Sequence, residues 1–162
     1  MVSGLKLIPL LCLTSGLWAA VVYGNHSGSC KTCPSGWTQF DGSCYMFHFR
    51  DMDWADAERY CTTVGGNLAS VHNKEEYTFL KTTLQAVAGK QLAVWLGGYD
   101  AVKEGVWLWS DGTFFDFKLW FKGEPNNYTG HENCMEMNFR GREYVNDSNC
   151  NVKRSFFCEK RL

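Results

Sequence analysis

The spacing of apolar residues changes period several times along the chain, and each change marks an element. Tyr45, Phe47 and Phe49 alternate with Met46 and His48 after the turn residues Gly42 and Ser43, which predicts a strand. From Asp53 the spacing becomes three and four: Trp54, Ala57, Cys61 and Val64 share one face, Asp53 can cap the start, and Gly65-Gly66 can end the run. This predicts a first helix with Cys61 on its buried side. Asn73-Lys74-Glu75-Glu76 has a capping-box form, and Tyr77, Leu80, Leu84 and Val87 follow as one apolar stripe until Gly89, a second helix. Short strand-like runs then lie at 92–96, 106–109, 134–139, 143–145 and 155–159. Helices first and strands later predict an α+β domain with antiparallel sheets rather than an alternating parallel one. Residues 117–133 have no period of either kind and contain Gly123, Pro125 and Gly130. A loop this long inside a compact domain is usually functional.

The amino terminus reads differently. Lys6 precedes an apolar run over 7–18, interrupted by Pro9, Thr14, Ser15 and Gly16, with the length of a signal-peptide core rather than of a membrane span. Cleavage after Gly24, or nearer Ala19 or Ala20, predicts a secreted protein; the first option leaves 138 residues, 162 minus 24. The expected organisation is a signal peptide at 1–24, a short polar leader at 25–32 carrying the sequon Asn25-His26-Ser27, and a domain at 33–160. No later segment is apolar enough to span a bilayer.

Composition narrows the class. A chain that is 45% hydrophobic and 15% aromatic is neither disordered nor a rod, and 16 basic against 17 acidic residues argue against a nucleic-acid binder. Of eight cysteines, Cys12 leaves with the signal, so Cys30, Cys33, Cys44, Cys61, Cys134, Cys150 and Cys158 remain, an odd number. The Cys30-x-x-Cys33 spacing lacks both a βαβ context for a redox site and a second pair for zinc. Three intrachain bridges with one cysteine left for another chain is the economical reading in an oxidising compartment, and the pairing itself stays open on spacing alone.

Oxygen-bearing side chains gather in and just after the long loop: Glu124, Asn126, Asn127, Glu132, Asn133, Asn146 and Asp147. Calcium takes six to eight oxygen ligands, roughly, and accepts carboxylates and amides, whereas zinc favours His or Cys and magnesium a strict octahedron. The plain alternative is a solvated polar loop. Trp95, Trp107 and Trp109 sit in strand-like segments and read as core, while Trp120, Phe121 and Tyr128 either pack beneath the loop or touch a ligand. His48, His72 and His131 read as packing or surface residues. No Ser-His-Asp order, phosphate loop or paired-carboxylate cleft points to an enzyme.

Several ordered motifs change the weight of these readings. Trp54-Ala55-Asp56-Ala57, Val94-Trp95-Leu96-Gly97, Trp107-Leu108-Trp109-Ser110-Asp111-Gly112, Glu124-Pro125-Asn126 and Phe156-Phe157-Cys158-Glu159 together resemble the long-form C-type lectin domain, from Cys33 to Glu159. The chain also resembles small secreted single-domain lectins of the fish ladderlectin and nattectin type. The resemblance implies the pairings Cys33 with Cys44, Cys61 with Cys158, and Cys134 with Cys150. Cys30 is then left as a candidate for a disulfide-linked homodimer. It also implies a calcium site formed by Glu124, Asn126, Glu132, Asn146 and Asp147, where two neighbouring sugar hydroxyls complete the coordination, and a cis peptide bond before Pro125. The acid-before-amide order of Glu124 and Asn126 resembles mannose-type binders.

A second calcium position is implied at Asp100, Glu104, Asn127, Glu132 and Asn133, weakened because Asn127 and Asn133 stand where related lectins often carry acids. Val145 stands where the family usually has Trp. The sequons at Asn127 and Asn146 overlap the expected site and are expected to stay unmodified, with Asn25 the preferred acceptor. The function expected from the resemblance is a secreted, calcium-dependent, mannose-type lectin without catalytic activity, recognising microbial surface glycans in innate defence. The competing reading is a non-sugar protein on the same scaffold, either an antifreeze or a protein-binding venom-type module.

Overall fold

Ser43–Met52 forms the strand β2, buried at its start and increasingly exposed toward Asp51, and it pairs with β1 (Thr38–Phe40) as an antiparallel hairpin. The computed structural model describes residues 32–138 and 144–162. The expected signal peptide, the leader, Asn25 and Cys30 lie outside the described residues, as do parts of the strands expected to include 139 and 143.

Helix α1 (Trp54–Thr63) begins where Asp53 caps it, the Asp53 carboxylate accepting from the Asp56 N–H at 2.9 Å. After strand β3 (Asn67–Leu68), helix α2 (Lys74–Ala88) starts at Asn73, whose side chain accepts from Glu76 N at 2.8 Å. The Glu76 carboxylate reaches back to His72 N at 2.6 Å rather than to the cap residue itself. Gly89 ends α2 in the left-handed region, at φ 68°.

The remaining strands are β4 (Val94–Tyr99), β5 (Leu108–Trp109), β6 (Cys134–Met137), β7 (Val145–Ser148) and β8 (Arg154–Arg161). They form one sheet in the order β1-β2-β8-β4-β6-β7, with β3 added to β8 and β5 to β4. Among the described residues every strand pair is antiparallel except β4 with β8, which meet in parallel through Trp95 and Phe156. The sheet is therefore mixed, not wholly antiparallel as the element order suggested. The cause is topological: β8 returns to lie between β2 and β4, and opposing β2 makes it run alongside β4.

Two other expectations shift. The strand expected at 92–96 starts at Val94 and continues through Gly97 and Gly98, because Gly97 N donates to Ala69 O at 2.8 Å and Gly97 O accepts from Ser110 N at 2.9 Å. The strand expected at 143–145 runs instead over Val145–Ser148, whose polar side chains are all buried.

The core has two parts. Tyr77, Leu80 and Leu84 of α2 pack on Leu96, Met135 and Phe157 of the sheet, and Ala57 and Cys61 of α1 pack on Leu68, Trp95 and Phe156. Three disulfides pin these layers: Cys33–Cys44 at the first hairpin, Cys61–Cys158 between α1 and β8, and Cys134–Cys150 across the β6–β7 pair. These are the pairings that the resemblance implied.

Where α1 turns into β3 the backbones nearly touch. A Cβ on Gly66 would sit 2.1 Å from the Glu159 carbonyl oxygen, and a main-chain oxygen within a sheet cannot swing aside. Gly66→Ala is expected to lower unfolding free energy by about 2 kcal/mol or more, seen as a lower urea midpoint at unchanged slope. An unchanged midpoint would mean that this crossing gives way without loss.

Candidate functional site

Two of the expected ligands, Asn146 and Asp147, arrive buried on β7. Antiparallel pairing with β6 sets Asn146 opposite Glu136 and Asp147 opposite Met135. The far side of β7 is held by the start of the long loop: Val145 N donates to Leu119 O and Phe121 N to Val145 O, both at 2.9 Å. Aromatic rings support that clamp. Trp120 lies edge-on to Trp107 at 4.7 Å between centroids, and Phe115 packs on Trp109 at 5.1 Å. Trp120 thus packs beneath the loop, Phe121 packs against Tyr144, and Tyr128 stands 71% exposed at the loop surface.

From the clamp the chain turns back, Glu124 N donating to Phe121 O at 2.9 Å, and the Glu124–Pro125 peptide bond is cis. Asn126 and Asn127 then meet the Asp147 carboxylate. Its Oδ1 accepts from Asn126 N at 3.2 Å and its Oδ2 from Asn127 N at 2.7 Å. A buried carboxylate thereby fixes the loop on the strand through charge-assisted hydrogen bonds.

The electrostatics are one-sided. Burial pushes the Glu124 carboxyl above its ordinary range, and the neighbouring acids Asp147 and Glu132 push it further. Its Oε2 is buried without a hydrogen-bond partner. Glu132 is also raised, by burial first and by the Asp147 charge, against the lowering effect of the Tyr128 N–H, which donates to its Oε2 at 2.9 Å. Acids brought together this way, with an orphaned oxygen among them, favour a cation.

Beneath them lies Glu136, 1% exposed and ion-paired with Arg154. Burial pushes its carboxyl up to about 7 against the opposing pull of Arg154. Glu136 Oε1 accepts one proton of the Asn146 amide at 3.2 Å, and the Asp147 carbonyl accepts from the same nitrogen. With its nitrogen so engaged, Asn146 has its side-chain oxygen as the group remaining for a ligand. Glu136 and Arg154 are site-supporting residues that the sequence reading missed; Glu136 stands two residues after Cys134 in a run that reads as ordinary strand.

The structure therefore brings Glu124 and Asn126 up to Asp147, with Glu132 close enough to influence both acids and Asn146 adjacent on β7. The donors are all oxygens, which suits calcium better than zinc. Among the described residues no three His, Cys, Asp or Glu side chains converge closely enough to hold a metal on their own, so Asn126 and Asn146 belong to any complete donor set. A cation here would be held by these side chains and would supply Lewis-acid contacts to ligand hydroxyls.

The expected second position is arranged differently. Asp100, 1% exposed, accepts from Asn133 Nδ2 at 3.0 Å and from Gly105 N at 2.8 Å. Glu104 accepts from Asn127 Nδ2. Amide protons, not amide oxygens, face these carboxylates, and the residues do not fit a second cation.

Elsewhere His72 joins residues far apart in sequence. Its Nδ1 lies 3.0 Å from Asp116, and its Nε2 lies 3.1 Å from the Ser70 hydroxyl. The His72 contact holds the Asp116 carboxyl below its ordinary range. The order Asp-His-Ser has the outline of a nucleophilic triad, but Ser70 is 1% exposed and its hydroxyl lies against Asp111 at 2.8 Å and Glu159 at 3.1 Å. The geometry is that of a polar network, buried at Ser70 and Glu159 and open at Asp116, tying the start of α2 to β8. A groove of about 540 Å³ beside Phe40 and Phe79 is lined by none of the candidate ligands.

Residues 50–160 match the family model described as Lectin C-type domain. Over 132 residues the chain is 47% identical to the galactose-specific lectin nattectin of Thalassophryne nattereri, covering 82% of each. It is also 47% identical over 118 residues to ladderlectin of Oncorhynchus mykiss, covering 73% of this chain and 62% of that protein. Among solved structures, the herring type II antifreeze protein superposes with a TM-score of 0.74 at 36% identity, covering 80% of this chain and 99% of the other.

Proposed function

The chain belongs to the C-type lectin domain family, and from that premise we propose that it is a secreted, calcium-dependent lectin for mannose-type glycans, such as those of microbial surfaces. The observation that carries this reading is the contact of Glu124 and Asn126 with the buried Asp147, beside Glu132 and Asn146. Three carboxylates and two carboxamides would hold one calcium ion and leave carboxylate oxygens and the Asn126 amide protons for two adjacent sugar hydroxyls, the Asn146 amide protons being held by Glu136 and the Asp147 carbonyl. The ion would act as a Lewis acid toward those hydroxyls. The protein would orient them: carboxylates accept from the hydroxyls, and the Asn126 amide N–H donates to one of them.

The acid-before-amide order of Glu124 and Asn126 supports sugars with adjacent equatorial hydroxyls. Nattectin's description as galactose-specific supports the other orientation, so the two sugars are compared directly. A shallow contact through two hydroxyls gives weak affinity for a monosaccharide, and useful avidity comes from several linked sites. Dimerisation through Cys30 would supply two, and it shows as migration of the purified protein near dimer mass without reductant and near monomer mass with it. Three disulfides support passage through an oxidising compartment, after removal of 1–24, with 25–32 as a leader to the domain at 33–160. No described helix is long and apolar enough to cross a membrane. We assign no catalytic role.

The test is retention on immobilised mannose in millimolar calcium and release by chelator. Glu124→Gln combined with Asn126→Asp is expected to reverse the ratio of mannose to galactose competition. Retention that survives chelation would overturn the calcium-dependent reading. The similarity to the herring antifreeze protein favours a second reading, ice binding, for which ice-recrystallisation inhibition without sugar retention would be the positive result.

A further inference from the structure

The resemblance places a second cation among Asp100, Glu104, Asn127, Glu132 and Asn133, yet hydrogen bonds occupy these groups. Both oxygens of the buried Asp100 accept N–H protons, from Asn133 Nδ2 and Gly105 N, and the two backbones join where Asp100 N donates to Asn133 O at 3.1 Å. Asn127 is engaged at every polar atom. Its N–H donates to Asp147 Oδ2 at 2.7 Å, its carbonyl accepts from Gly130 N at 2.7 Å, its Oδ1 accepts from Glu132 N at 3.0 Å, and its Nδ2 donates to Glu104. Turning the amide over to offer oxygen toward Glu104 would set its NH2 against the Glu132 N–H, two donors face to face. The backbone holds this pose in the left-handed region, φ 44° and ψ 51°, which asparagine tolerates better than most residues.

We infer that Asn127 and Asn133 close the second cation position with hydrogen bonds, so that the loop is held by Asn127 in place of an ion and the chain takes up a single calcium. Asn127 is a positioning residue: it links Glu104, Glu132 and the carboxylate of Asp147 with no metal between them. An aspartate at either position removes the amide protons there and sets two carboxylates against each other; aspartate at both recreates an all-oxygen cation site.

The ion count rests on the principal site being a calcium site; the state of the loop does not. Two measurements on the full secreted chain separate them. Calorimetric titration with calcium is expected to give one ion per chain, lost in Glu124→Gln and kept in Asp100→Asn. In chelator, chymotryptic cleavage after the exposed Tyr128 is expected to be slow in the wild type and about tenfold faster in Asn127→Asp, which exchanges the hydrogen bond to the Glu104 carboxylate for repulsion between two carboxylates. Millimolar calcium is expected to restore protection in Asn127→Asp combined with Asn133→Asp and to add a second ion to the count. A wild type that binds two ions overturns the inference, and so does Asn127→Asp cleaved in chelator at the wild-type rate. If the wild type binds no calcium, the proposed function fails, while the chelator experiment still decides the role of Asn127.

Discussion

Asp147→Asn is expected to weaken calcium binding by at least about 100-fold and to abolish retention on mannose, with the far-ultraviolet circular dichroism unchanged. Asp147 is 1% exposed, and both its oxygens accept backbone N–H groups from the loop. An isosteric amide keeps one acceptor and turns an NH2 toward the other donor. Each hydrogen bond to a charged group contributes about 1.5–3 kcal/mol, so losing one and burying an unpaired donor already approaches a 100-fold effect. The lost negative charge adds to it, because Glu124 and Glu132 alone would then oppose the ion's two positive charges. The measurement is a calorimetric or terbium-luminescence titration. Affinity within a few fold of wild type would place the ion elsewhere.

The second large effect concerns stability. The Cys61–Cys158 bridge spans 97 residues of sequence, and both sulfur-bearing residues are fully buried between α1 and the sheet. Chain-entropy estimates for a loop of that length give about 4–5 kcal/mol, and alanine at both positions also leaves a void beside Leu68 and Trp95. Domains are stable by roughly 5–15 kcal/mol, so the double alanine variant is expected to sit close to its unfolding threshold at room temperature. The Cys33–Cys44 bridge, with a separation of 11, should matter less, because it closes only a hairpin. Denaturant midpoints of the two double variants compare them directly; equal losses would show that loop length does not govern the stabilisation here.

How much of this could be read from the residues depended on how local each signal is. Helix limits were legible because Asp53, Asn73 and Gly89 act on their immediate neighbours. The strand at Val145–Ser148 was not, because Asn146, Asp147 and Ser148 are buried for the sake of the site and leave no apolar alternation. The parallel β4–β8 contact was equally hidden: Trp95 and Phe156 are 61 positions apart, 156 minus 95, and neither carries a mark of strand direction. At the site, the oxygen-rich residues were visible as a set, but hydrogen-bond direction was not. Asn133 and Asn127 can offer a carbonyl or an NH2, and only the positions of Asp100, Glu104 and the Glu132 N–H decide which. The Glu136–Arg154 pair escaped notice because its meaning lies in what it holds, the amide of Asn146.

The place of β8 also bears on biosynthesis. It is the latest strand of the domain in chain order, yet it lies between β2 and β4 near the middle of the sheet. While a ribosome is still producing it, β2 and β4 can form no shared sheet, and Cys61 has no Cys158 to meet. Domains tend to fold as units once synthesised, so the nascent chain would wait with that seam open and an unpaired thiol on α1. A thiol-disulfide isomerase acting in that interval would have the early cysteines to mispair with one another, Cys33, Cys44 and Cys61, before the correct partner emerges.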